Sequence, residues 1–438
     1  MVLSDMFVSN LSWAAIEWML AEVALLSQDY ASWLQLMFDP WIDVAILLLV
    51  SIVAMSDFYR RFYRSIRSAP RLGLVNQPSS KLPKISVVIP AYNESVNVED
   101  CMRAVLANQL PGDSELELIV ADDESTDKTF ELASAIAKTD NRATVFIVPP
   151  RPKDDVWRGK NWACHCAKDK ATGTYILFID ADVRLAKDAI VRALVEAQDY
   201  KSDLLSCAPA IVCGCFSEWL VQPLMANLIA VGFDFEGVND PAQEVAIAAG
   251  PFMLFRRAAY DKIGGHQAVA DNPVEDLALA SLVKAQGLSL RYVLGLDAAT
   301  VRMYRSFGGL WEGWTKNYHL GSQRNIALTV VSAAAVFLIF CIPWFGLVAS
   351  VAGAITHAIS DKIAMGLVGL SAAAVIIQVV LRWISSKVIG QPLRYLWLGW
   401  AGGLLVSAIA IISLIKTETG WGWTWRGRSL ARPPQKNE

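Results

Sequence analysis

The sequence predicts an α/β domain built on a mostly parallel sheet and flanked on both sides by helices that span a membrane. Three observations lead there. Two acidic clusters each close an apolar, β-rich run: residues 118–121 lead into Asp122-Asp123-Glu124-Ser125, and residues 175–179 into Asp180-Ala181-Asp182. Between Lys84 and about Gly321, short strand-like runs alternate with helical periods, the pattern of strands covered by helices on both faces. The chain of 438 residues is 54% hydrophobic, with a mean hydropathy of +0.36, and the apolar excess is concentrated at its two ends.

The flanks come first. Residues 11–26 carry Glu17 and Glu22, which predicts an amphipathic, interfacial segment. Residues 41–55, extended by 34–38, are long and apolar enough to cross a hydrocarbon core of ~30 Å. Asp39 and Asp43 mark the outer end of that span. Arg60, Arg61, Arg64, Arg67 and Arg71 follow it with only Asp57 against them, which puts that end in the cytoplasm. A basic start and a small-residue cleavage site are missing, so this is no cleavable signal. Residues 76–83 form a polar linker, which divides the chain into an N-terminal part (1–83), an α/β domain (84–321) and a C-terminal membrane part (322–438). In the last part, residues 326–355, 363–381 and 393–415 are long apolar segments, and Pro343 splits the first into two shorter helices or a re-entrant pair. The loop with Arg382, Lys387 and Arg394 and the tail with Arg426, Arg428 and Arg432 are both basic and both belong in the cytoplasm. A single helix separates them, so one segment lies on the interface or re-enters.

Within the domain, residues 85–90 form a buried strand, and Ala91-Tyr92-Asn93-Glu94 turns the chain into a helix ending at Leu106. Residues 122–129 end the second strand and start the next helix, for which Thr126 or Asp127 is a sufficient N-cap. Residues 144–148 and 173–179 are the third and fourth strands. Ala249-Gly250-Pro251-Phe252-Met253 precedes a further strand and Arg256-Arg257. Pro273-Val274 opens a helical pattern (Leu277, Leu279, Ala280, Leu282, Val283) that sets Glu275-Asp276 in its first turn, where backbone amides favour a carboxylate. Residues 216–235 are unusually apolar for a surface segment. Glu218, Gln222 and Pro223 favour an interfacial helix over a spanning one, with a buried core helix as the alternative.

The acidic clusters carry the chemistry. Carboxylates at the C-terminal ends of parallel strands lie where open α/β sheets bind ligands. Grouped and uncompensated, they need a cation, and oxygen donors suit Mg2+ or Mn2+. Such ions complete their shell with water and substrate phosphate, so the sheet end reads as a site for a nucleotide diphosphate. The net charge of −3 argues against nucleic acid as a partner. The seven cysteines have no zinc-ligand spacing. Adjacent residues of Cys164-His165-Cys166 point to different helix faces, so that tripeptide is read as packing.

Four blocks in order, Val87-Val88-Ile89-Pro90-Ala91-Tyr92-Asn93-Glu94, Val120-Ala121-Asp122-Asp123-Glu124-Ser125-Thr126-Asp127, Asp180-Ala181-Asp182 and Val274-Glu275-Asp276, resemble a family 2 glycosyltransferase of the Rossmann-like GT-A fold. Trp157-Arg158-Gly159-Lys160-Asn161-Trp162-Ala163, Trp311-Glu312-Gly313-Trp314-Thr315-Lys316-Asn317 and Trp425-Arg426-Gly427-Arg428 further resemble the membrane branch that glycosylates lipids, which includes hopene-associated, carotenoid and diacylglycerol glycosyltransferases. The resemblance implies that Tyr92 stacks on the nucleotide base and Asp123 accepts its imide N–H, although Tyr92 also fits an aromatic that packs a strand end. Pro90, Glu94, Asp122 and Arg305 fall in the same nucleotide-sugar site, with Arg302 as the alternative to Arg305. Asp180 lies near ribose and metal, Asp182 holds the metal, and Lys160 serves the phosphates. Asp276 is the general base, while Gly250, Glu275, Trp311 and Trp314 belong to the donor-sugar and acceptor pocket.

The implied activity is inverting, metal-dependent transfer of a single hexose, glucose by expectation, from a UDP-sugar to a lipid hydroxyl. The acceptor is of glycolipid, carotenoid or hopanoid type, met at the cytoplasmic leaflet of a bacterial inner or internal membrane. Residues 216–235 and the tryptophan loop are expected to frame lateral access for it. Processive polysaccharide synthesis is the alternative, but the Gln-x-x-Arg-Trp sequence of processive synthases is missing after Asp276. A nucleotide-sugar-binding membrane protein without catalysis is the second alternative, against which the full carboxylate set speaks.

Overall fold

The computed structural model describes residues 40–75, 81–152 and 157–430. The segment expected at residues 11–26, residues 34–39, most of the linker and Arg432 lie outside these.

In chain order the elements are α1 (Pro40–Ser68), β1 (Ile85–Ala91), α2 (Val98–Leu106), β2 (Leu116–Asp122), α3 (Thr129–Ala137), β3 (Ala143–Ile147), α4 (Gly159–Lys170), β4 (Tyr175–Phe178), β5 (Val183–Leu185) and α5 (Ala189–Asp199). β6 (Leu204–Ile211), α6 (Phe216–Gly232), α7 (Phe235–Asn239), β7 (Met253–Arg256), α8 (Arg257–Lys262), α9 (Glu275–Ala285), β8 (Leu290–Val301) and α10 (Phe307–Gly321) complete the α/β domain. Then follow α11 (Ile326–Phe340), α12 (Ile342–Ile355), α13 (Asp361–Ile389), α14 (Gly399–Thr419) and a two-stranded hairpin, β9 (Thr424–Trp425) and β10 (Arg428–Ser429).

The sheet has eight strands in the order β3-β2-β1-β4-β7-β6-β8-β5. β7 runs against both β4 and β6, and β5 runs against β8, while the other neighbours are parallel. This is the mixed, mostly parallel sheet the sequence implies. Its central strands β1 and β4 are almost wholly apolar because both faces are covered. Val87, Ile89, Leu118, Val120 and Leu177 pack on one face, and Val88, Ile119, Ile176 and Phe178 on the other, following the period of two.

Four strands match their expected positions to within two residues. The three-residue β5 and the long β8, which carries Arg291 and Asp297, were not legible from apolar runs. Neither expected N-cap takes that position: the N-cap of α3 is Lys128, which makes no side-chain cap bond, although the Asp127 carboxylate just before it accepts the Thr129 amide at 2.9 Å. Cys164 is buried on α4, while His165 stacks with Trp157 and Trp162, so the Cys-His-Cys tripeptide is packing.

The helix at residues 216–235 departs from the interfacial expectation. Most of α6 is enclosed within the protein, including Leu220, Val221, Leu224 and Met225, although Phe216 is exposed. Its polar residues explain why: Glu218 accepts the Gly214 and Cys215 amides and pairs with Arg302, and Gln222 accepts the Trp314 indole N–H. Such buried polar groups need protein partners, which a lipid face does not supply.

Residues 54–341 and 377–430 form one compact body, and residues 40–53 and 342–376 another. In the second, Leu48 packs on Gly346, and Ile359, Ala364 and Leu367 cluster with Trp41. In the first, α14 lies along helices of the α/β domain. Gly402 closes on the Leu220 carbonyl of α6, Ser413 accepts the His319 amide of α10 at 2.9 Å, and Lys416 donates to Thr315 at 3.1 Å. Among the described residues, three helical stretches are long and apolar enough to cross a membrane: α1, α13 and residues 396–419. α11 and α12 together pass as a fourth, broken at Cys341 with Pro343 in the first turn of α12, as the sequence predicts.

Candidate active site

β1 lies between β2 and β4, parallel to both, so the two acidic clusters and the Tyr92–Glu94 turn meet at one sheet edge. Asp122 is buried; one carboxylate oxygen accepts the Ser125 amide at 2.8 Å and folds the chain back over the strand end, while the other has no partner. The Asp123 amide donates to the Ala91 carbonyl at 2.8 Å, which extends the β1–β2 ladder by one residue and fixes the side chain beside Tyr92. Its carboxylate receives Arg151 at 2.6 and 2.9 Å, and also Arg428. Glu94 is buried and bonded to Asn97 at 2.8 Å and Arg426 at 2.5 Å.

Asp182 carries the sharpest electrostatic signal. Burial pushes its carboxyl up to about 8, and the charges of Asp180 and Glu94 add to the effect. One of its oxygens is buried without a hydrogen-bond partner. A carboxylate that is desolvated, crowded by like charge and unpartnered fits a divalent cation. Among the described residues, no group of three or more His, Cys, Asp or Glu side chains is gathered to hold a metal.

Lys160 stands between the two halves of the site, 2.6 Å from Asp180 and 2.6 Å from Glu275. The Trp157–Ala163 motif explains how. The Asn161 side-chain amide donates to the carbonyls of Val269, Ala270 and Asn272, and the Arg158 amide donates to Ala270 at 2.8 Å. These bonds tie the first turn of α4 to the loop that precedes α9, and so bring Glu275 to Lys160. Burial works against charge on Lys160, but Asp180 and Glu275 outweigh it and hold the ammonium well above the usual lysine range. Burial likewise opposes Glu275, yet Lys160 wins and keeps its carboxyl below the usual range.

Asp276 follows in the first turn of α9. Its two oxygens accept the Leu277 amide at 2.8 Å and the Gly250 amide at 2.9 Å. A Cβ on Gly250 would stand 2.9 Å from that carboxylate, so a side chain there displaces it. Burial, with Glu275 beside it, raises the Asp276 carboxyl to about 6. Lys316 of α10 faces the same carboxylates and is held below the usual lysine range by burial and by Lys160.

The remaining residues fall into two groups. Arg305 donates to Asn97 at 2.8 Å, one step from Glu94, whereas Arg302 pairs with buried Glu218 away from the cluster. Pro90 ends β1 next to the site. Trp311 is half-buried against Phe307, and Trp314 is buried with its N–H on Gln222. Sequence reasoning did not assign Arg151, Lys316, Arg426 or Arg428. The last three lie in motifs that stand out in the sequence, whereas Arg151 follows Pro149-Pro150 with no pattern to mark it.

Residues 86–264 match the profile of Glycosyl transferase family 2. The chain is similar to the 4,4′-diaponeurosporenoate glycosyltransferase of Staphylococcus aureus (strain MRSA252), at 29% identity over 272 residues, which cover 61% of this chain and 68% of that protein. Among solved structures it is similar to the mannosyltransferase PcManGT from Pyrobaculum calidifontis in complex with GDP-Man and Mn2+, at 19% identity and a TM-score of 0.48, covering 87% of this chain and 99% of the other. It is also similar to glucosyl-3-phosphoglycerate synthase from Mycobacterium tuberculosis in complex with Mn2+ and UDP, at 20% identity and a TM-score of 0.35, covering 55% and 82% of the two chains. Residues 86–264, which hold both acidic clusters, Lys160 and Gly250, are a glycosyl transferase family 2 domain.

Proposed function

We propose that this protein is a metal-dependent, inverting hexosyltransferase that moves one sugar, glucose in the first instance, from a UDP-sugar to the hydroxyl of a membrane lipid at the cytoplasmic leaflet. One observation carries the reading: Lys160 joins Asp180 to Glu275, so the end of β4 and the first turn of α9 share one charged cluster beside Asp276. Tyr92 and Asp123 bind the base, and Lys160 steadies the diphosphate. Asp182 and Asp180 are the residues to hold Mg2+ or Mn2+, which when bound neutralises charge on the diphosphate.

Asp276 accepts the proton of the acceptor hydroxyl as its oxygen bonds to the anomeric carbon. The bond from that carbon to the diphosphate oxygen breaks on the opposite face, and the configuration inverts. A carboxyl raised to about 6 is ionised near neutral pH yet basic enough to take that proton. The carotenoid-type acceptor of the S. aureus relative supports an apolar acceptor here. The apolar helices support a membrane location, and the five arginines between Arg60 and Arg71 support a cytoplasmic domain. Because α14 packs along α6 and α10, we read it as the segment that does not cross.

The test is mass spectrometry of lipid extracts from cells with and without the gene, followed by the purified protein with UDP-[14C]glucose and extracted lipid. A lipid heavier by a single hexose, formed only with the wild-type protein, is expected. Long polymeric products, or no labelled lipid with any UDP-hexose, overturn the reading.

A further inference from the structure

The hairpin that follows α14 reaches back into the site from the far end of the sequence. β9 and β10 pair antiparallel through Trp425 and Arg428, and the two residues between them, Arg426 (φ 49°) and Gly427 (φ 77°), both have positive φ. That is the mark of a type I′ turn, whose twist matches the strands it joins. Gly427 takes it without strain, but Arg426 does not, and a non-glycine residue held there points to a local demand.

The hairpin is anchored on α10. Both Glu312 carboxylate oxygens are used, one by the Thr424 hydroxyl at 2.8 Å and the other by the Arg426 amide at 3.2 Å. The Lys316 ammonium lies 4.7 Å from the Trp425 ring centroid. Two motifs more than a hundred residues apart thus make one device. Its tip delivers two cations. The Arg428 guanidinium lies 3.5 Å from the Tyr92 ring centroid and bonds the Asp123 carboxylate and carbonyl. Arg426 bonds the Tyr92 carbonyl and Glu94, each at 2.5 Å.

We propose that this hairpin is a wall of the nucleotide subsite, and that Arg428 and Arg426 are donor-binding residues. The inference rests on the reading of Tyr92 and Asp123 given above. A nucleoside diphosphate is an anion, and the sheet edge it must approach is lined by Asp122, Asp123, Glu94, Asp180 and Asp182. Arg151 and Lys160 already meet this cluster, and the tail brings two more cations to it. A guanidinium stacks on flat aromatic surfaces and forks onto phosphate or carbonyl oxygens, so arginine at both tip positions suits a base and a diphosphate better than lysine does.

The experiment is calorimetric titration of UDP with Mn2+ into the full-length protein in nanodiscs. R428A is expected to weaken binding by about 10–100-fold, the worth of a charged hydrogen bond. R428K keeps the charge but loses the fork and the stacking, and is expected to fall roughly between the two. E312Q, which releases the hairpin without removing either arginine, is expected to weaken binding as well. If R428A does not fold, R428K decides the matter. An affinity within about two-fold of wild type in R428K and in any folded R428A overturns the proposal and leaves the hairpin a mere fastening for α10. Tighter binding also overturns it, since the hairpin would then be an obstruction. A wild type that binds neither UDP nor another nucleoside diphosphate with Mn2+ overturns the proposed function along with it.

Discussion

The carboxylate of Asp276 accepts the backbone amide of Gly250 at 2.9 Å, and through that bond the first turn of α9 is locked to the loop before β7. The bond aims a group that burial and Glu275 have made more basic than an ordinary aspartate. A base must be ionised to act, so kcat/KM is expected to rise with pH along a limb centred near 6. E275Q removes a neighbouring negative charge, which lowers the Asp276 carboxyl and moves the limb to lower pH. D276N is expected to cut turnover by ~10²–10⁴-fold while UDP-sugar affinity is nearly kept. A D276N enzyme with more than about half the wild-type rate would remove Asp276 from this role.

The metal is tested at Asp182. Dialysis against EDTA is expected to silence the enzyme, with Mn2+ or Mg2+ restoring it. D182N is expected to lose most activity and to gain no thermal stability from added Mn2+, because the unpartnered oxygen no longer carries charge. Full turnover after exhaustive chelation would rule the ion out.

Asn161 is expected to matter through the loop it holds. Its amide shares two protons among three carbonyls between Val269 and Asn272. N161A leaves the Asn272 carbonyl without that donor, at about 1–3 kcal/mol for a buried group left unpaired, while the Ala270 and Val269 carbonyls keep the Arg158 and Asn272 amides, and it lowers kcat because Glu275 is no longer held at Lys160. N161D has the same shape but sets a carboxylate against carbonyl oxygens, so it should be the worse of the two. Equal melting temperatures for wild type and both variants would contradict this.

How much of this was legible in the sequence depended on the range of the interactions. The strand ends of β1, β2 and β4 announced themselves because an apolar run stops at a cluster of charge, and both the run and the cluster are local. Glu275 and Asp276 were legible because Pro273 and a helical period fix a helix start. α6 was misjudged as interfacial, since an apolar segment reads alike against lipid and against α14. What separates the two is the partnering of Glu218 and Gln222, by Arg302 and Trp314, both more than eighty residues away. Arg151 stayed hidden for the same reason, and the Trp425–Arg428 motif stood out without showing what its arginines meet. A lone arginine has no periodicity, and its value appears only when the fold sets it against Asp123.

The anchoring of Thr424 on Glu312 also constrains how the chain is threaded through the bilayer. The polypeptide leaves the α/β domain at the end of α10 and comes back to the same helix at β9. Any excursion across the membrane in between must therefore be matched by a return, and the number of crossings between Gly321 and Thr424 is even. On the proposed reading of α14 as the segment that does not cross, the broken α11–α12 pair and α13 would be the outward and homeward legs. A change that turned one leg into a surface helix would strand the hairpin on the wrong side, and glycosyl transfer would be lost although every residue of the catalytic cluster stayed intact.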